Sequence, residues 1–167
     1  MGPSEFRRRV VFLLAVVPAC SCGYYLVDNS RTIHVALSAE GAVHPEALPA
    51  VSEALSSGLR DQGLRLSSGE ADAELAVVVT GSAEHAALPA EDAAGNFQPS
   101  AWETALEARA TLRRADGAET DLGTFEASGL EALGHDAAAD DAAQASAYAL
   151  AARLLAERIV AAVLAAW

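Results

Sequence analysis

The run from Ala101 to Arg113 alternates between small or apolar and polar side chains, and it constrains the fold more than any other stretch. Side chains of a β-strand point alternately to the two faces of a sheet, so a period of two indicates a strand with one covered face. Trp102 and Leu112 fall on the covered face, whereas Glu103 and Arg109 fall on the face directed to water. The pattern therefore predicts a sheet with a packed layer on only one of its sides.

A hairpin is expected to follow this strand. Residues 114–117, Arg-Ala-Asp-Gly, form a turn signal, and the stretch from Thr120 to Ser128 returns as the partner strand. Leu122 and Phe125 are three residues apart, so regular alternation places them on opposite faces. Gly123 lies between them, and a glycine inside a strand pattern indicates a β-bulge.

The sequence pattern of residues 32–79 predicts a β-α-β unit. Residues 32–37, Thr-Ile-His-Val-Ala-Leu, alternate as a strand, and leucine or valine at positions 48, 51, 55 and 59 recurs at helical spacing up to about Asp61. Gly63 is the expected end of the helix. The nearly continuous apolar run from Leu75 to Val79 is typical of a central strand buried on both faces. Two strands that flank one helix should be parallel if they share a sheet.

The remaining stretches carry weaker signals. We expect residues 64–70 to be an extended link and residues 84–100, which contain Pro89, Gly95 and Pro99, to be a loop. Residues 130–139 make a second loop, and a long helix follows from about Asp140 to Ala166. The order β-α-β-β-β-α predicts an α+β fold, a two-layer sandwich in which a four-stranded mixed sheet carries two helices on one face.

The N-terminus has the features of a secretory signal. Three arginines at positions 7–9 precede an apolar run, residues 10–19, of about half the length that a helix needs to span a bilayer. A cysteine at the cleavage site is typical of a bacterial lipoprotein, whose thiol receives lipid before the leader is removed. Pro18 beside the cut is unfavourable for Cys20, so Cys22 is the expected lipidation site and Cys20 the alternative. An ordinary signal peptide, with free or paired cysteines, is the other interpretation.

These signals divide the chain into three parts. Residues 1–21 are the cleaved leader, residues 22–31 a lipidated linker, and residues 32–167 a single α+β domain, which is long enough to bury a hydrophobic core. The formal charge of the whole chain is −12, and the chain contains no lysine. Such a surface repels nucleic acid over long range, so nucleic-acid binding is not expected.

Arg109, Arg113 and Arg114 form the only local group of basic residues after the leader. Arg109 and Arg113 share the outer strand face, because their separation is even. Their guanidinium groups can hold the phosphates of a glycolipid or the acidic loops of a barrel through paired donors. The alternative is pairing with neighbouring acids such as Glu119 and Asp121, which contributes little at an exposed surface.

Catalytic and metal-binding patterns do not stand out. The four histidines, at positions 34, 44, 85 and 135, have no metal-ligating partner three or four residues further along, and no Gly-x-Ser-x-Gly signature occurs. We therefore expect an interaction protein, not an enzyme, with neither a metal nor a cofactor.

Taken in order, several segments resemble the LPS-assembly lipoprotein family (LptE). The expected mature chain starts Cys22-Gly23-Tyr24, residues 31–35 read Arg-Thr-Ile-His-Val, and residues 71–75, Ala-Asp-Ala-Glu-Leu, open the valine strand. A hairpin with a polar face and an alanine-rich last helix ending at Trp167 continue the resemblance.

The resemblance implies an outer-membrane lipoprotein, anchored by lipid on the periplasmic side. Members of the family plug the LptD β-barrel, help it to fold, and help to deliver lipopolysaccharide to the outer leaflet. Gly23, where inner-membrane lipoproteins of enterobacteria carry Asp, agrees with the outer membrane. The alternative is an outer-membrane lipoprotein that binds another envelope component, for example as the pilot of a secretin pore.

Overall fold

The structure is a computed structural model that describes residues 31–41, 43–91, 95, 97–133 and 137–167. The leader, Cys20, Cys22 and all but the last residue of the predicted linker lie outside these ranges. The cleavage and lipidation of the N-terminus therefore stay predictions.

A five-stranded mixed sheet forms one layer of the fold. Its strands are β1 (Thr32–Ala39), β2 (Arg65–Leu66), β3 (Ala73–Glu91), β4 (Phe97–Arg114) and β5 (Glu119–Ala132), in the spatial order β2-β1-β3-β4-β5. The second layer consists of the helices α1 (Ala47–Asp61) and α2 (Ala137–Ala166). β1 is parallel to both of its neighbours, whereas β4 is antiparallel to both β3 and β5. The α+β class and the parallel pairing of β1 with β3 are confirmed.

The predicted number of strands, four, is too low by one. β2 lies within the segment expected to be an extended link. The Arg65 amide donates to the Arg31 carbonyl (3.0 Å) and the Ser67 amide to the Ile33 carbonyl (2.9 Å). A two-residue strand is too short to show a periodic pattern, so the sequence carries no signal for it. It forms because the chain leaving α1 returns to the outer edge of β1.

β3 and β4 are much longer than the sequence predicts, and they pair as a hairpin. Of the loop expected at residues 84–100, residues 84–91 and 97–100 are instead paired strand, the far half of the hairpin, with Ala87 opposite Ala101 and Pro89 opposite Pro99, while residues 92–94 and 96 lie outside the described residues. Alanine and proline have low strand propensity, and pairing with the facing strand overrides that preference. Of the second expected loop, residues 130–139, the first three residues belong to β5 and the last three to α2, and residues 134–136 lie outside the described residues.

β5 contains the predicted bulge. Asp121 and Gly123 face consecutive residues of β4, so Leu122 is the extra residue. Gly123 has a φ of 97°, and its N–H donates to the Asp121 carboxylate at 2.9 Å. The prediction that Leu122 and Phe125 lie on opposite faces is wrong, since both pack against the core. The inserted residue resets the alternation, so a separation of three residues returns to the same side.

Both helices pack on one face of the sheet, as predicted. The largest fully buried side chains are Ile33, Leu75, Val77, Val79, Leu106 and Leu112 from the sheet, and Val51, Leu55, Leu59, Tyr148, Leu155 and Ile159 from the helices. The expectation that the valine strand is buried on both faces is wrong, because Ala76 and Val78 are only partly buried. In the described part of the chain, no helix covers their side.

α2 lies close against β5. Its buried face includes many alanines, among them Ala147 and Ala151, which are fully buried. A Cβ added to Gly129 of β5 would lie 2.1 Å from the carbonyl oxygen of Ala147 and 2.8 Å from the amide nitrogen of Ala151. A glycine and small helix residues therefore set the distance between the two layers.

Candidate functional site

The face of the sheet opposite the helices combines small and charged side chains. Ala36, Ala76 and Thr111 lie side by side across three strands. The charged members of this surface are Glu40, Glu74, Glu103, Glu107, Arg109, Arg113, Glu119, Asp121 and Glu126, and none of them is buried. We call the surface formed by these twelve residues the open face. Its carboxylates outnumber its guanidinium groups, so its electrostatic potential is negative.

Two of the three predicted arginines lie on the open face. The Arg109 guanidinium contacts the Glu40 carboxylate at 2.9 Å, and Arg113 Nε lies 3.4 Å from the Glu119 carboxylate. All four side chains are more than half exposed. Exposed ion pairs contribute only about 0–1 kcal/mol each, so both arginines can exchange their present partners for other anions at little cost.

The third predicted arginine, Arg114, does not join them. It is adjacent to Arg113 on β4, and adjacent strand residues point to opposite faces. Its guanidinium donates to the carbonyl oxygen of Ala166 in the last turn of α2, and this contact is partly buried. A cation at a helix C-terminus is favourable, so Arg114 stabilises the end of α2 and is not available on the open face.

A trough of about 500 Å³ crosses the open face over β3, β4 and β5. Small residues, Gly81, Ala83, Ala105 and Ser128, line it together with Glu103, Glu107 and Glu126. Arg158 of α2, which donates to the Glu126 carbonyl oxygen, is the one cation among the described residues of this lining. Glu107 pairs directly with Glu126 across β4 and β5, and like charges in directly opposed positions destabilise a sheet. The sequence analysis missed the trough, because the three carboxylates come from two strands that only the fold brings together.

A cluster of polar side chains joins α2 to the far half of β3. The Tyr148 hydroxyl donates to one carboxylate oxygen of Glu84, and the Gln144 amide donates to the other at 2.7 Å. The ring of His44, in the loop before α1, stacks on that of Tyr148 with centroids 5.1 Å apart. Burial, followed by the hydrogen bond and charge of Glu84, raises the pKa of the Tyr148 phenol well above its usual value.

The cluster contains a serine, a histidine and a glutamate, but they are not arranged for nucleophilic catalysis. The Ser82 hydroxyl accepts the backbone N–H of His44 at 2.7 Å. His44 Nδ1 accepts the N–H of Glu46 at 3.4 Å, and its Nε2 lies 3.7 Å from Glu84. Both ring nitrogens therefore face groups other than the serine, which has no base beside it. The arrangement connects the loop before α1, β3 and α2.

Within the described ranges, no group of three or more His, Cys, Asp or Glu residues is placed to hold a metal ion. Neither of the two described helices is long and apolar enough to cross a membrane.

The chain was compared with known families, curated proteins and solved structures. No family model matches it, and no curated protein does. A putative lipoprotein from Caulobacter crescentus superposes with a TM-score of 0.51 at 19% identity, covering 78% of this chain and 90% of that one. A minor lipoprotein from Acinetobacter baumannii gives 0.51 at 10% identity, covering 81% and 94%. The fold is shared with bacterial lipoproteins. A rare lipoprotein B from Shewanella oneidensis also matches, with a TM-score of 0.49 at 10% identity over 80% and 95% of the two chains.

Proposed function

We propose that this protein is an outer-membrane lipoprotein that plugs and helps to assemble an LptD-type β-barrel for the delivery of lipopolysaccharide. The observation that carries the proposal is the open face. It is a charged sheet surface without a covering layer among the described residues, in a fold shared with bacterial lipoproteins. A surface of this kind suits contact with a partner better than it suits catalysis.

The partner surface is the polar inner wall of the barrel. Barrels of the outer membrane have apolar outer surfaces and polar interiors, so a plug must present polar and charged groups. The open face does so, and the paired carboxylates of Glu107 and Glu126 gain most from a partner that brings a cation or a hydrogen-bond donor. Binding there adds to the compensation that Arg158, the cation lining the trough, already supplies.

Arg109 and Arg113 are the candidate contacts for lipopolysaccharide phosphates or for acidic groups of the barrel. Each forms an exposed ion pair with a carboxylate that another anion can replace, and a guanidinium binds phosphate through two parallel N–H donors. Arg114 is left out of this role, because it is engaged with the end of α2. The proposal contains no catalytic step, metal or cofactor.

The first experiment tests the anchor. Mass spectrometry of the protein from membranes of its host is expected to find a mature chain that begins at an acylated Cys22. Cys22→Ala should prevent both acylation and removal of the leader, whereas Cys20→Ala should affect neither. A retained leader, or a wild-type protein in which neither Cys20 nor Cys22 is acylated, would reject the lipoprotein assignment, whereas acylation at Cys20 would reject only the choice of Cys22.

The second experiment tests the partner. A tagged chain purified from detergent-solubilised envelopes is expected to bring down a large β-barrel in constant proportion. Arg109→Ala and Arg113→Ala should each bind soluble lipopolysaccharide more weakly than Arg153→Ala, which removes the same charge from α2. A secretin or peptidoglycan in place of the barrel would contradict the proposed partner, and equal binding by the three variants would remove the arginines from the site.

A further inference from the structure

Arg31, the residue before β1, and the C-terminal end of α2 lie at the same end of the sheet. The start of β1, the start of β2 and the end of β4 lie side by side at this end, because Thr32 pairs with Arg65 and Ala73 with Arg114. The contact of Arg114 with the carbonyl oxygen of Ala166 brings the last turn of α2 to the same level. We call this end of the domain, marked by Arg31, Arg65, Arg114 and Trp167, the entry end.

Arginine is concentrated at the entry end. Five of the eight arginines from residue 31 onward belong to it, namely Arg31, Arg60, Arg65, Arg113 and Arg114. Six acids share this end, namely Asp61, Glu70, Asp72, Glu74, Asp116 and Glu119. The Asp72 carboxylate accepts the Thr32 amide (2.7 Å) and hydroxyl (2.8 Å), and these hydrogen bonds hold its pKa below the usual value, so it stays ionised. The five arginines therefore offset most, but not all, of the negative charge at this end.

The opposite end of the domain is acidic. It comprises the far half of the β3–β4 hairpin, the end of β5 and the first turns of α2. Its described side chains include Glu84, Glu103, Glu131, Asp140 and Asp141, and these segments contain no arginine. An anionic surface repels this end, whereas the entry end, where most of the negative charge is offset, can approach it.

The entry end also carries a partly exposed aromatic side chain, that of Trp167. This side chain packs against the core, and the Arg31 guanidinium lies 5.7 Å from the centre of its ring. Tryptophan is enriched at the level of lipid headgroups, because its ring is apolar and its N–H is polar. Arginine beside it supplies donors for phosphate.

We propose that the entry end is a membrane-contacting surface, on which Trp167, Arg31 and Arg65 lie against phospholipid headgroups while the acidic end points away from the bilayer. The inference rests on the proposed acylation of Cys22. Nine residue steps separate Cys22 from Arg31, and they reach at most about 30 Å, so the entry end is the part of the domain held nearest to the lipid.

The two tryptophans of the chain provide the test, since they lie at opposite ends. Trp102 is twelve residues before Arg114 on β4, which corresponds to about 40 Å at 3.4 Å per residue. The acylated protein is reconstituted into phosphatidylethanolamine–phosphatidylglycerol vesicles that contain lipids brominated near the headgroup. Trp102→Phe leaves Trp167 as the only emitter, and Trp167→Phe leaves Trp102. Circular dichroism checks that each variant is folded, and Trp102→Tyr replaces a variant that is not.

We expect bromine to quench Trp167 several times more strongly than Trp102. Equal quenching, or stronger quenching of Trp102, would overturn the proposed orientation. If neither Cys20 nor Cys22 proves to be acylated in the cell, the full-length Cys20→Ser chain is coupled through Cys22 to a maleimide lipid and measured in the same way. Absence of acylation then rejects the proposed function, whereas the quenching pattern still decides the orientation.

A charge reversal separates headgroup contact from simple proximity. On vesicles rich in phosphatidylglycerol, Arg65→Glu should weaken the quenching of Trp167, because the reversed charge is repelled by the lipid. Arg153→Glu makes the same change on α2, away from the entry end, and should leave the quenching unchanged. Equal effects of the two variants would contradict a specific contact.

Discussion

Replacing Gly129 by alanine tests the packing of α2 on the sheet most directly. The added Cβ would lie 2.1 Å from the carbonyl oxygen of Ala147 and 2.8 Å from the amide nitrogen of Ala151. Both are backbone atoms inside a helix, so no side chain can rotate to make room. α2 must move away from β5 by roughly 1 Å, and this opens contacts along the shared interface.

Overpacking of a core costs typically 1–3 kcal/mol, and the backbone clash at Gly129 places this variant at about 3 kcal/mol or above. For a domain of this size we expect Tm to fall by roughly 10 °C. The measurement is thermal and urea unfolding followed by circular dichroism. Gly69→Ala is the matched control, because Gly69 has open space around its Cβ position, and its stability should change by less than about 0.5 kcal/mol. A Tm for Gly129→Ala within about 3 °C of the wild type would refute the close packing.

Three further predictions concern polar contacts. Tyr148→Phe should cost about 2 kcal/mol by removing the donor to Glu84. The folded pKa of Tyr148 lies above its unfolded value of about 10. The contribution of this hydroxyl to the free energy of unfolding is therefore complete below pH 10 and declines as the pH rises above it. Urea titrations between pH 7 and 11 should show this decline in the wild type and not in the variant. Thr104→Val should stabilise the protein by about 1 kcal/mol, because the buried Thr104 hydroxyl has no hydrogen-bond partner in the described structure; a lower urea midpoint would contradict this. Arg114→Ala should cost about 1–2 kcal/mol, since its partly buried bond to α2 is lost, whereas Arg113→Ala should cost less than about 0.5 kcal/mol; equal midpoints for the two variants would show that Arg114 does not hold the helix.

The regular periods of the sequence predicted the parts of the fold that depend on local patterns. The alternation in β4, the leucine spacing of α1 and the glycine in β5 each correspond to an observed strand, helix or bulge. The elements that the sequence did not predict depend on pairing with residues distant in the chain. β2 exists because the edge of β1 is free, and the far half of the β3–β4 hairpin exists because two alanine- and proline-containing segments face each other. Neither element has a pattern of its own to read.

The same distinction applies to the candidate site. The shared face of Arg109 and Arg113 follows from their even separation, and the structure places them there. The engagement of Arg114 with α2 was not predictable, because its partner lies 52 residues further along the chain. The pairing of Glu107 with Glu126 depends on the register between β4 and β5, which the bulge at Leu122 shifts by one residue.

The contact between Arg31 and Trp167 means that the two ends of the described domain meet. A short glycine–serine bridge could therefore join them without disturbing the sheet, and the chain could be reopened at the β3–β4 turn, where Gly95 has a φ of 82°. Such a circular permutant would keep every strand pairing while changing the order in which the strands are made. The order of synthesis and the final architecture can thus be separated in this fold.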